Sequence, residues 1–279
     1  MRNDSPSRTA IAAAMHRAAH QRLEGGAIYA DSLAVPILDS ETQSRLDDWG
    51  AVPRRRGMRL FIAARHRFAE ERLGAAVATG IRQIVILGAG LDTTALRRLH
   101  AGRGVRYFEV DHPATQAWKR RRIVEAGFQA PAELTFAPVD FERQTLAEGL
   151  AQASFDAARP AFFVWLGVVP YLTEAAIFET LKFVSLVPRA EIVFDYANPP
   201  DQLDPAVRVA HETRAANVAA LGEPWLSYFD SPELAARLAA LGAAEIDDLG
   251  PVEIQRRIFH RPDPIPTGRG GHILWARWD

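Results

Sequence analysis

Short apolar runs alternate with helical segments from about residue 80 onward, and this alternation constrains the fold more than any other feature. Each run has the length of a buried strand, and the segments between them carry apolar side chains at helical spacing. Such alternation is typical of a parallel sheet with helices on both faces. The predicted strands are 84–87, 105–110, 134–137, 161–166 and 191–196, and the predicted helices among them are 91–99, 113–127 and 173–187.

The N-terminal part of the chain differs from this pattern. Residues 8–23 and 57–79 have apolar positions every three or four residues, and glycine follows each segment, so both are predicted to be helices. We expect residues 1–80 to form an N-terminal helical cap on a core that comprises residues 81–279.

The C-terminal part adds an insertion and two further strands. Helices are predicted at 204–221 and 231–241, and strands at 243–249 and 272–278. Because no long helix separates the last two strands, they are predicted to be an antiparallel pair at one end of the sheet. The whole pattern predicts an α/β fold with a doubly wound, mostly parallel, seven-stranded sheet and a helical lid insertion at about 197–235.

A glycine-rich turn, Gly88-Ala89-Gly90, follows the first predicted strand and leads into the predicted helix 91–99. Glycine lets the backbone approach a bound molecule closely, although it also serves any tight turn. The dinucleotide fingerprint requires a third glycine three residues after Gly90, and Thr93 stands at that position. The turn therefore favours a cofactor without a pyrophosphate over NAD.

Acidic side chains follow the next two predicted strands. Asp111 ends the second strand, where a carboxylate can accept hydrogen bonds from both hydroxyls of an adenosine ribose. Asp140 and Phe141 follow the third strand, where the carboxylate can accept from the adenine amino group while the phenyl ring packs on the base. A plain surface acid is the alternative for Asp111. Because the carboxyl ends of parallel strands share one sheet edge, the sequence predicts an adenosine site there.

Seven motifs are distributed along nearly the whole chain: RHRF (65–68), VILGAGLDT (85–93), YFEVD (107–111), WLGVVPYLT (165–173), FDY (194–196), GEPW (222–225) and GHIL (271–274). Together they resemble the bacterial branch of the leucine carboxyl methyltransferase family. The resemblance implies a Rossmann-like class I methyltransferase fold, S-adenosylmethionine (SAM) as the methyl donor, and transfer to an oxygen atom, often of a carboxylate.

The resemblance also implies roles for individual side chains. Arg65 is expected to pair with the SAM carboxylate, Gly88 to approach the methionine portion, Asp111 to hold the ribose and Asp140 to meet the adenine. An arginine–carboxylate pair is charge-assisted and geometrically selective, which suits the first of these roles. The complete set of predicted cofactor-binding residues is Arg65, Gly88, Ala89, Gly90, Asp111, Asp140, Phe141 and Trp165.

The sequence departs from the family pattern directly after Trp165. Family members often carry Glu there, which can bind the SAM amino group, but this chain has Leu166. Backbone carbonyls of Gly88 or of residues 165–167, or water, would then have to accept from the ammonium.

Methyl transfer from a sulfonium is an in-line displacement, so the protein mainly aligns the reacting atoms and excludes water. A carboxylate acceptor is already ionised near neutral pH and needs no base, whereas a hydroxyl benefits from one. The predicted catalytic residues are Tyr196, Tyr171 and His211, with Tyr196 expected to line the acceptor pocket. The alternatives are a packing role for Tyr171 and a solvent-facing helix position for His211.

The lid insertion is expected to select the acceptor, which we predict to be a small molecule. Three aromatic residues near its end, Trp225, Tyr228 and Phe229, can form an apolar wall for that molecule. They can equally anchor the lid to the core.

Charge and composition exclude other classes of protein. The 33 Lys plus Arg and 34 Asp plus Glu give a net charge of −1, which argues against nucleic-acid binding. The basic runs 54–56 and 119–122 are interpreted as solvated helix faces. Cysteine is absent and no metal-binding motif is found, so no metal site is predicted. No apolar run is long enough for a membrane span. We expect a cytoplasmic protein. A homodimer is an open alternative, because the apolar faces of the N-terminal helices can cover either the core or a second copy of the chain.

Two other functions remain open. An NAD(P)-dependent oxidoreductase is disfavoured by Thr93, and NADH binding without SAM binding would restore it. A catalytically silent SAM-binding or regulatory protein remains an alternative because of Leu166; it would bind SAM without turnover of any acceptor.

Overall fold

The computed structural model describes residues 7–141, 143–261 and 270–279, and the predicted α/β fold is confirmed. One sheet contains seven strands: β1 (Gln83–Leu87), β2 (Arg106–Asp111), β3 (Leu134–Pro138), β4 (Ala161–Trp165), β5 (Glu191–Ala197), β6 (Glu245–Leu249) and β7 (Gly271–Arg277). Their order is β3-β2-β1-β4-β5-β7-β6. Only β7 runs antiparallel to its neighbours, so the last two strands pair as predicted.

Helices flank the sheet and begin with good capping residues where the sequence supplies them. The Thr145 side chain, for example, accepts from the Glu148 N–H, and the Glu148 carboxylate accepts from the Thr145 N–H. None of the described helices has the length and apolarity needed to cross a membrane. The helices are α1 (Arg8–Leu23), α2 (Ser40–Ser44), α3 (Leu46–Ala51), α4 (Arg56–Ala78), α5 (Pro113–Glu125), α6 (Leu146–Gln152), α7 (Glu174–Ser185), α8 (Pro205–Ala220), α9 (Ser231–Ala240) and α10 (Pro251–Glu253).

The sheet separates two hydrophobic cores because alternate side chains of each strand point to opposite faces. Ile84 and Ile86 of β1 belong to the core that α1 and α4 cover, whereas Val85 and Leu87 belong to the core beneath α7 and α9. The N-terminal helices thus share their core with the sheet. The division into a cap (1–80) and a core (81–279) stays a prediction, and residues 1–6 lie outside the described residues.

The predicted helix 91–99 is wrong, because this segment consists of turns. The Asp92 carboxylate accepts from the Thr94 N–H at 2.7 Å, which offers the backbone a local alternative to a helical hydrogen bond. Arg98 adopts a φ of +53°, a left-handed conformation that ends any helical turn. The glycine turn therefore does not lead into a helix.

The interpretation of residues 119–122 as a solvated face is also wrong for Lys119. Its side chain is fully buried, and its Nζ lies 2.6 Å from Glu109 Oε2. A buried carboxylate on β2 requires a cation opposite it, which explains why a lysine of α5 turns inward.

Candidate active site

A cavity of about 2020 Å³ opens at the carboxyl edge of the sheet, between the N-terminal helices and the lid insertion. Ligands of open α/β folds bind at this edge because the strand ends and connecting loops meet there. The cavity is lined by every residue that the sequence predicted for the site: Arg65, Gly88, Ala89, Gly90, Asp111, Asp140, Phe141, Trp165, Tyr171, Tyr196 and His211. Their individual roles remain predictions.

The turn after β1 requires glycine at position 88 for two reasons. Gly88 has a φ of +63°, which L-residues with a side chain rarely adopt, and a Cβ there would lie 2.4 Å from a methyl carbon of Val168. Next in the turn, the Ala89 N–H donates to the Val110 carbonyl at 3.1 Å and the Gly90 N–H donates to the Asp111 carboxylate at 2.6 Å. The turn is thereby held against the end of β2.

Asp111 lies at the end of β2 with both carboxylate oxygens oriented by backbone groups. One oxygen accepts from Gly90, and the other accepts from the His112 N–H at 2.7 Å. Burial raises the pKa of Asp111, although these two N–H groups oppose the rise. Each carboxylate oxygen has a second lone pair. The predicted ribose contact is therefore compatible with the observed hydrogen bonds.

Arg65 of α4 forms a buried ion pair with Asp195 of β5. Its Nη1 donates to Asp195 Oδ2 at 2.9 Å, and Asp195 Oδ1 accepts from the Gly167 N–H at 2.6 Å. The guanidinium lies so close to Gly167 that a Cβ there would be 2.7 Å from Nη2. The Nε of Arg65 is buried and has no hydrogen-bond partner among the described residues. One edge of the guanidinium is thus available to a carboxylate.

Asp195 was not predicted as a site residue, although it lies in the FDY motif at the end of a predicted strand. Asp111, at the corresponding end of β2, was predicted from its strand-end position after the glycine turn. Asp195 could have been recognised by the same strand-end argument. Its pairing with Arg65 could not, because the two residues are 130 positions apart.

Asp140 and Phe141 lie in the loop that follows β3. Arg143 Nε lies 3.5 Å from an Asp140 carboxylate oxygen. Phe141 is 58% exposed, and its ring contacts no other described aromatic side chain. An exposed phenyl ring at the cavity is available for packing on a planar base.

Trp165 and Leu166 line the cavity but offer no charged group. The Trp165 side chain is buried in the second core, where its ring packs against Phe194 with centroids 6.2 Å apart. Leu166 packs against the first core. The carboxylate that the family often has after Trp165 is absent here, and Asp195 is the acid that contacts the neighbouring Gly167.

Tyr196 lines the cavity, but its contacts do not favour it among the three candidate bases. Its hydroxyl donates to Asp248 Oδ2 at 2.5 Å and lies 2.9 Å from Ser231 Oγ. Burial and the nearby Asp248 carboxylate raise the pKa of Tyr196 far above its ordinary value. His272 stacks on the ring and bonds to the same aspartate, at 2.9 Å. Tyr196 therefore connects β5 to the last two strands.

Tyr171 and His211 lie at the side of the cavity that the lid covers. Burial raises the pKa of Tyr171, while hydrogen bonds with Trp225 and Thr9 oppose the rise. His211 is buried, contrary to the solvent-facing alternative, and its Nε2 lies 3.2 Å from the Tyr228 hydroxyl. Burial lowers the pKa of His211, so its imidazole is neutral at pH 7.

The three aromatic residues of the lid divide between the two predicted roles. Trp225 and Tyr228 line the cavity and contact the ring of His211. Phe229 is buried against Phe178 and Tyr196, so it anchors the lid to the core.

Glu223 of the lid contacts the start of α1. Its carboxylate accepts from the Ser7 hydroxyl at 2.9 Å, from the Arg8 N–H at 3.0 Å and from the Thr9 hydroxyl. A carboxylate is favoured at a helix N-terminus, where unpaired N–H groups point outward. This contact, which was not predicted, holds the lid over the cavity.

A buried polar network connects the glycine turn to the N-terminal region. The Thr93 hydroxyl donates to Asp31 Oδ2 at 2.7 Å, and Arg17 Nε donates to the same oxygen at 2.7 Å. Arg17 also donates to the Leu91 carbonyl at 2.5 Å. A dinucleotide site would have glycine at position 93. Here the Thr93 side chain instead connects the turn to the N-terminal region through its hydrogen bond to Asp31.

These residues fit SAM, which carries a carboxylate, a ribose and an adenine. The unpartnered Nε of Arg65 suits the carboxylate, the remaining lone pairs of Asp111 suit the ribose hydroxyls, and the exposed ring of Phe141 suits the adenine. The fit to the carboxylate rests on the Nε of Arg65, because a buried guanidinium N–H without an acceptor costs free energy.

Comparison with known structures supports the fold. A solved structure of a candidate methyltransferase from Thermobifida fusca YX is similar with a TM-score of 0.57 at 17% identity, covering 88% of this chain and 92% of that chain. A DUF574 family protein from Streptomyces avermitilis MA-4680 also gives a TM-score of 0.57, at 15% identity, covering 96% of this chain and 97% of that chain. Both share the fold of this protein.

Comparison of sequences identifies the family. The candidate SAM-dependent methyltransferase YktD of Bacillus subtilis (strain 168) is 30% identical, with 99% of both chains covered. A candidate SAM-dependent methyltransferase of Mycobacterium avium (strain 104) is 30% identical over 78% of this chain and 73% of its own length. The family model for leucine carboxyl methyltransferase matches residues 10–185. The chain therefore belongs to the leucine carboxyl methyltransferase family of SAM-dependent methyltransferases.

Proposed function

We propose that this methyltransferase transfers the SAM methyl group to an oxygen atom of a small molecule, and that the oxygen belongs to a carboxylate. The observation that supports the proposal is the hydrogen bond from the Tyr196 hydroxyl to Asp248, which disfavours a phenolate at this one of the three candidate bases. Tyr171 has a raised pKa and is protonated at neutral pH. A carboxylate acceptor needs no base because it is already ionised.

The size of the cavity supports a second, small ligand beside the cofactor. Sites for single small ligands commonly have volumes of roughly 300–1,000 Å³, whereas this cavity measures about 2020 Å³. The space near Trp225 and Tyr228 has an aromatic lining, which suits an organic molecule with an apolar body.

SAM, when bound, supplies a methyl group that its sulfonium has already activated. The protein's contribution is to position both ligands and to exclude water. Arg65 would hold the carboxylate of the donor, and Asp111 would hold its ribose. Trp225 and Tyr228 would cover the acceptor, with the contacts of Glu223 to α1 keeping the lid in place.

A hydroxyl group is the second candidate acceptor, and His211 is the observation that favours it. Its imidazole is neutral at pH 7 because burial lowers its pKa, and it faces the same cavity. A neutral imidazole can remove a proton from a phenol or alcohol as the methyl group transfers.

The test uses SAM with a ¹³C-labelled methyl group and a panel of small carboxylic acids, phenols, alcohols and amines. NMR of the products assigns the methyl group to oxygen, nitrogen or carbon, and mild alkaline hydrolysis removes it from an ester but not from an ether. We expect a methyl ester. The Asp111→Ala variant, which loses the predicted ribose contact, is the control: the labelled methyl group should appear in the product only when SAM is bound at this site.

Other outcomes separate the alternatives. A methyl ether whose formation is lost in His211→Asn would favour the hydroxyl reaction. N-methyl or C-methyl products would overturn the proposal. SAM binding with no product from any acceptor of the panel would favour the catalytically silent protein.

A further inference from the structure

One face of α8 lines the part of the cavity that the lid covers. Its cavity-lining positions recur at helical spacing, so they form a continuous stripe on the inner side of the helix. Arg214 is the only arginine or lysine of α8 on this stripe. The residues of α8 that line the cavity are Val207, Ala210, His211, Thr213, Arg214, Asn217 and Val218.

Arg214 has no ionic partner in the part of the chain that the structure describes. No carboxylate there lies within 4 Å of its guanidinium, and its buried Nε makes no hydrogen bond to a described residue. Burial lowers the pKa of Arg214. Arg214 is half-buried. A guanidinium partly withdrawn from water without an anion opposite it costs free energy, and a bound anion would offset that cost.

The other cations at the cavity differ from Arg214 in burial or in pairing. Arg65 and Arg17 are buried, and each pairs with an aspartate. Arg55 donates to the Trp49 carbonyl at 2.6 Å and lies over its ring. The remaining arginines along the lining are mostly exposed to solvent: Arg54, Arg56, Arg143 and Arg261.

His211 lies one helical turn before Arg214 on the same stripe and has aromatic neighbours. Burial lowers the pKa of His211, and the nearby Arg214 adds to the decrease while Glu212 opposes it. The ring of His211 contacts Trp225 and Tyr228, with centroids 4.9 Å and 5.4 Å apart. A cation beside such a wall suits a ligand with one anionic group and a flat apolar body.

We propose that Arg214 binds the anionic group of the methyl acceptor, which is an organic anion with an aromatic or apolar body. The inference rests on the proposed function in one respect, namely that the cavity accepts a small organic acceptor. It goes further in naming the lid residue that determines specificity. It does not depend on which atom of the acceptor receives the methyl group.

The test measures binding, so that it is independent of turnover. Protein saturated with S-adenosylhomocysteine is titrated with 1-anilinonaphthalene-8-sulfonate, an aromatic anion, and with N-phenyl-1-naphthylamine, its uncharged counterpart. The variants are Arg214→Gln and Arg214→Lys. The matched control is Arg208→Gln, because Arg208 lies on α8 but outside the cavity lining and donates to the Asp201 carbonyl.

We expect Arg214→Gln to weaken binding of the sulfonate by about ten-fold or more, the effect of one charge-assisted hydrogen bond. Arg214→Lys should restore part of the affinity, and the uncharged probe should bind all variants equally. Arg208→Gln should bind like wild type. Unchanged sulfonate affinity in Arg214→Gln, or an equal loss in Arg208→Gln, would overturn the inference.

The outcomes separate this inference from the proposed function. If Arg214→Gln loses the sulfonate but the labelled methyl group is found on nitrogen or carbon, the anion site stands and O-methylation fails. If the product is a methyl ester but Arg214→Gln binds the sulfonate normally, the reverse holds.

Discussion

The Arg65 guanidinium donates a hydrogen bond to the Asp195 carboxylate at 2.9 Å, and 130 positions of sequence separate the two residues. Both side chains are buried, and the Gly167 N–H holds the second oxygen of Asp195. The aspartate thereby fixes one edge of the guanidinium and leaves Nε, which lacks a partner among the described residues, for a ligand. The pair connects α4 to the carboxyl edge of the sheet, where the cavity opens.

Replacing Arg65 with Lys should weaken SAM binding by about ten-fold or more. An ammonium cannot hold Asp195 and also offer two parallel N–H groups to a carboxylate. Calorimetric titration with SAM measures the effect. Arg67→Lys is the control, since Arg67 lies on the same helix, pairs with the exposed Glu71 and does not line the cavity. An Arg65→Lys protein with wild-type affinity would disprove the predicted contact.

The Thr93→Val substitution should lower the free energy of unfolding by about 1–2 kcal/mol. The change preserves shape but removes the hydroxyl that donates to the buried Asp31 carboxylate. Urea denaturation provides the measurement. Thr94→Val is the comparison, because the Thr94 hydroxyl makes no hydrogen bond to a described residue. If both valine variants lose the same stability, the bond to Asp31 has no special importance.

The Lys119→Met substitution should destabilise the protein by about 3–5 kcal/mol, because it leaves the Glu109 carboxylate buried and unpaired. Burial raises the pKa of Glu109 to about 7, while Lys119 opposes that rise. Changing both residues to apolar ones, as in Glu109→Leu with Lys119→Met, should recover most of the loss. Urea denaturation of the two single variants and the double variant measures the coupling.

An exposed ion pair serves as the comparison for the stability cost of breaking the buried Glu109–Lys119 pair. Asp47 and Arg22 lie 3.0 Å apart with largely exposed side chains, so Asp47→Asn should cost less than about 1 kcal/mol. A double variant at positions 109 and 119 that remained as unstable as Lys119→Met would contradict the interpretation.

The stability of the protein should fall as the pH falls from about 6.5 towards 3, in part because of His16. Burial lowers the pKa of His16 from 6.5 to about 3, with nearby arginines adding to the effect. Between these values the unfolded chain binds a proton that the folded protein does not, so acid favours unfolding. The contribution of one such group reaches about 2 kcal/mol at pH 5.

The measurement compares urea denaturation at pH 7 and pH 5 in His16→Gln and wild type. The variant should lose about 2 kcal/mol less than wild type over this interval. His260→Gln is the control, because His260 is exposed. Identical pH dependence in His16→Gln and wild type would show that His16 does not contribute.

Much of the fold could be predicted from the sequence because its determinants are local. Runs such as 84–87 and 191–196 are apolar and short, so burial on both faces of a parallel sheet is the arrangement they favour. The helix 8–23 matches α1 because its apolar spacing and its glycine boundary are local signals. The helix predicted at 91–99 failed because tertiary partners of Thr93 and the local cap from Asp92 replaced helical hydrogen bonds.

Several residues of the site could likewise be predicted from the sequence, because the carboxyl ends of parallel strands meet at a single edge of the sheet. That rule placed Gly88, Asp111 and Asp140 around one cavity without knowledge of any contact.

Only the tertiary structure decided which groups remain available for chemistry. The Tyr196 hydroxyl is bound by Asp248, and Arg65 is shared with Asp195. Lys119 turns inward to Glu109, while Arg214 faces the cavity unpaired among the described residues. The physical reason is that the free energy of a charge or hydroxyl depends on burial and on partners distant in sequence. Such partners meet only after the chain has folded.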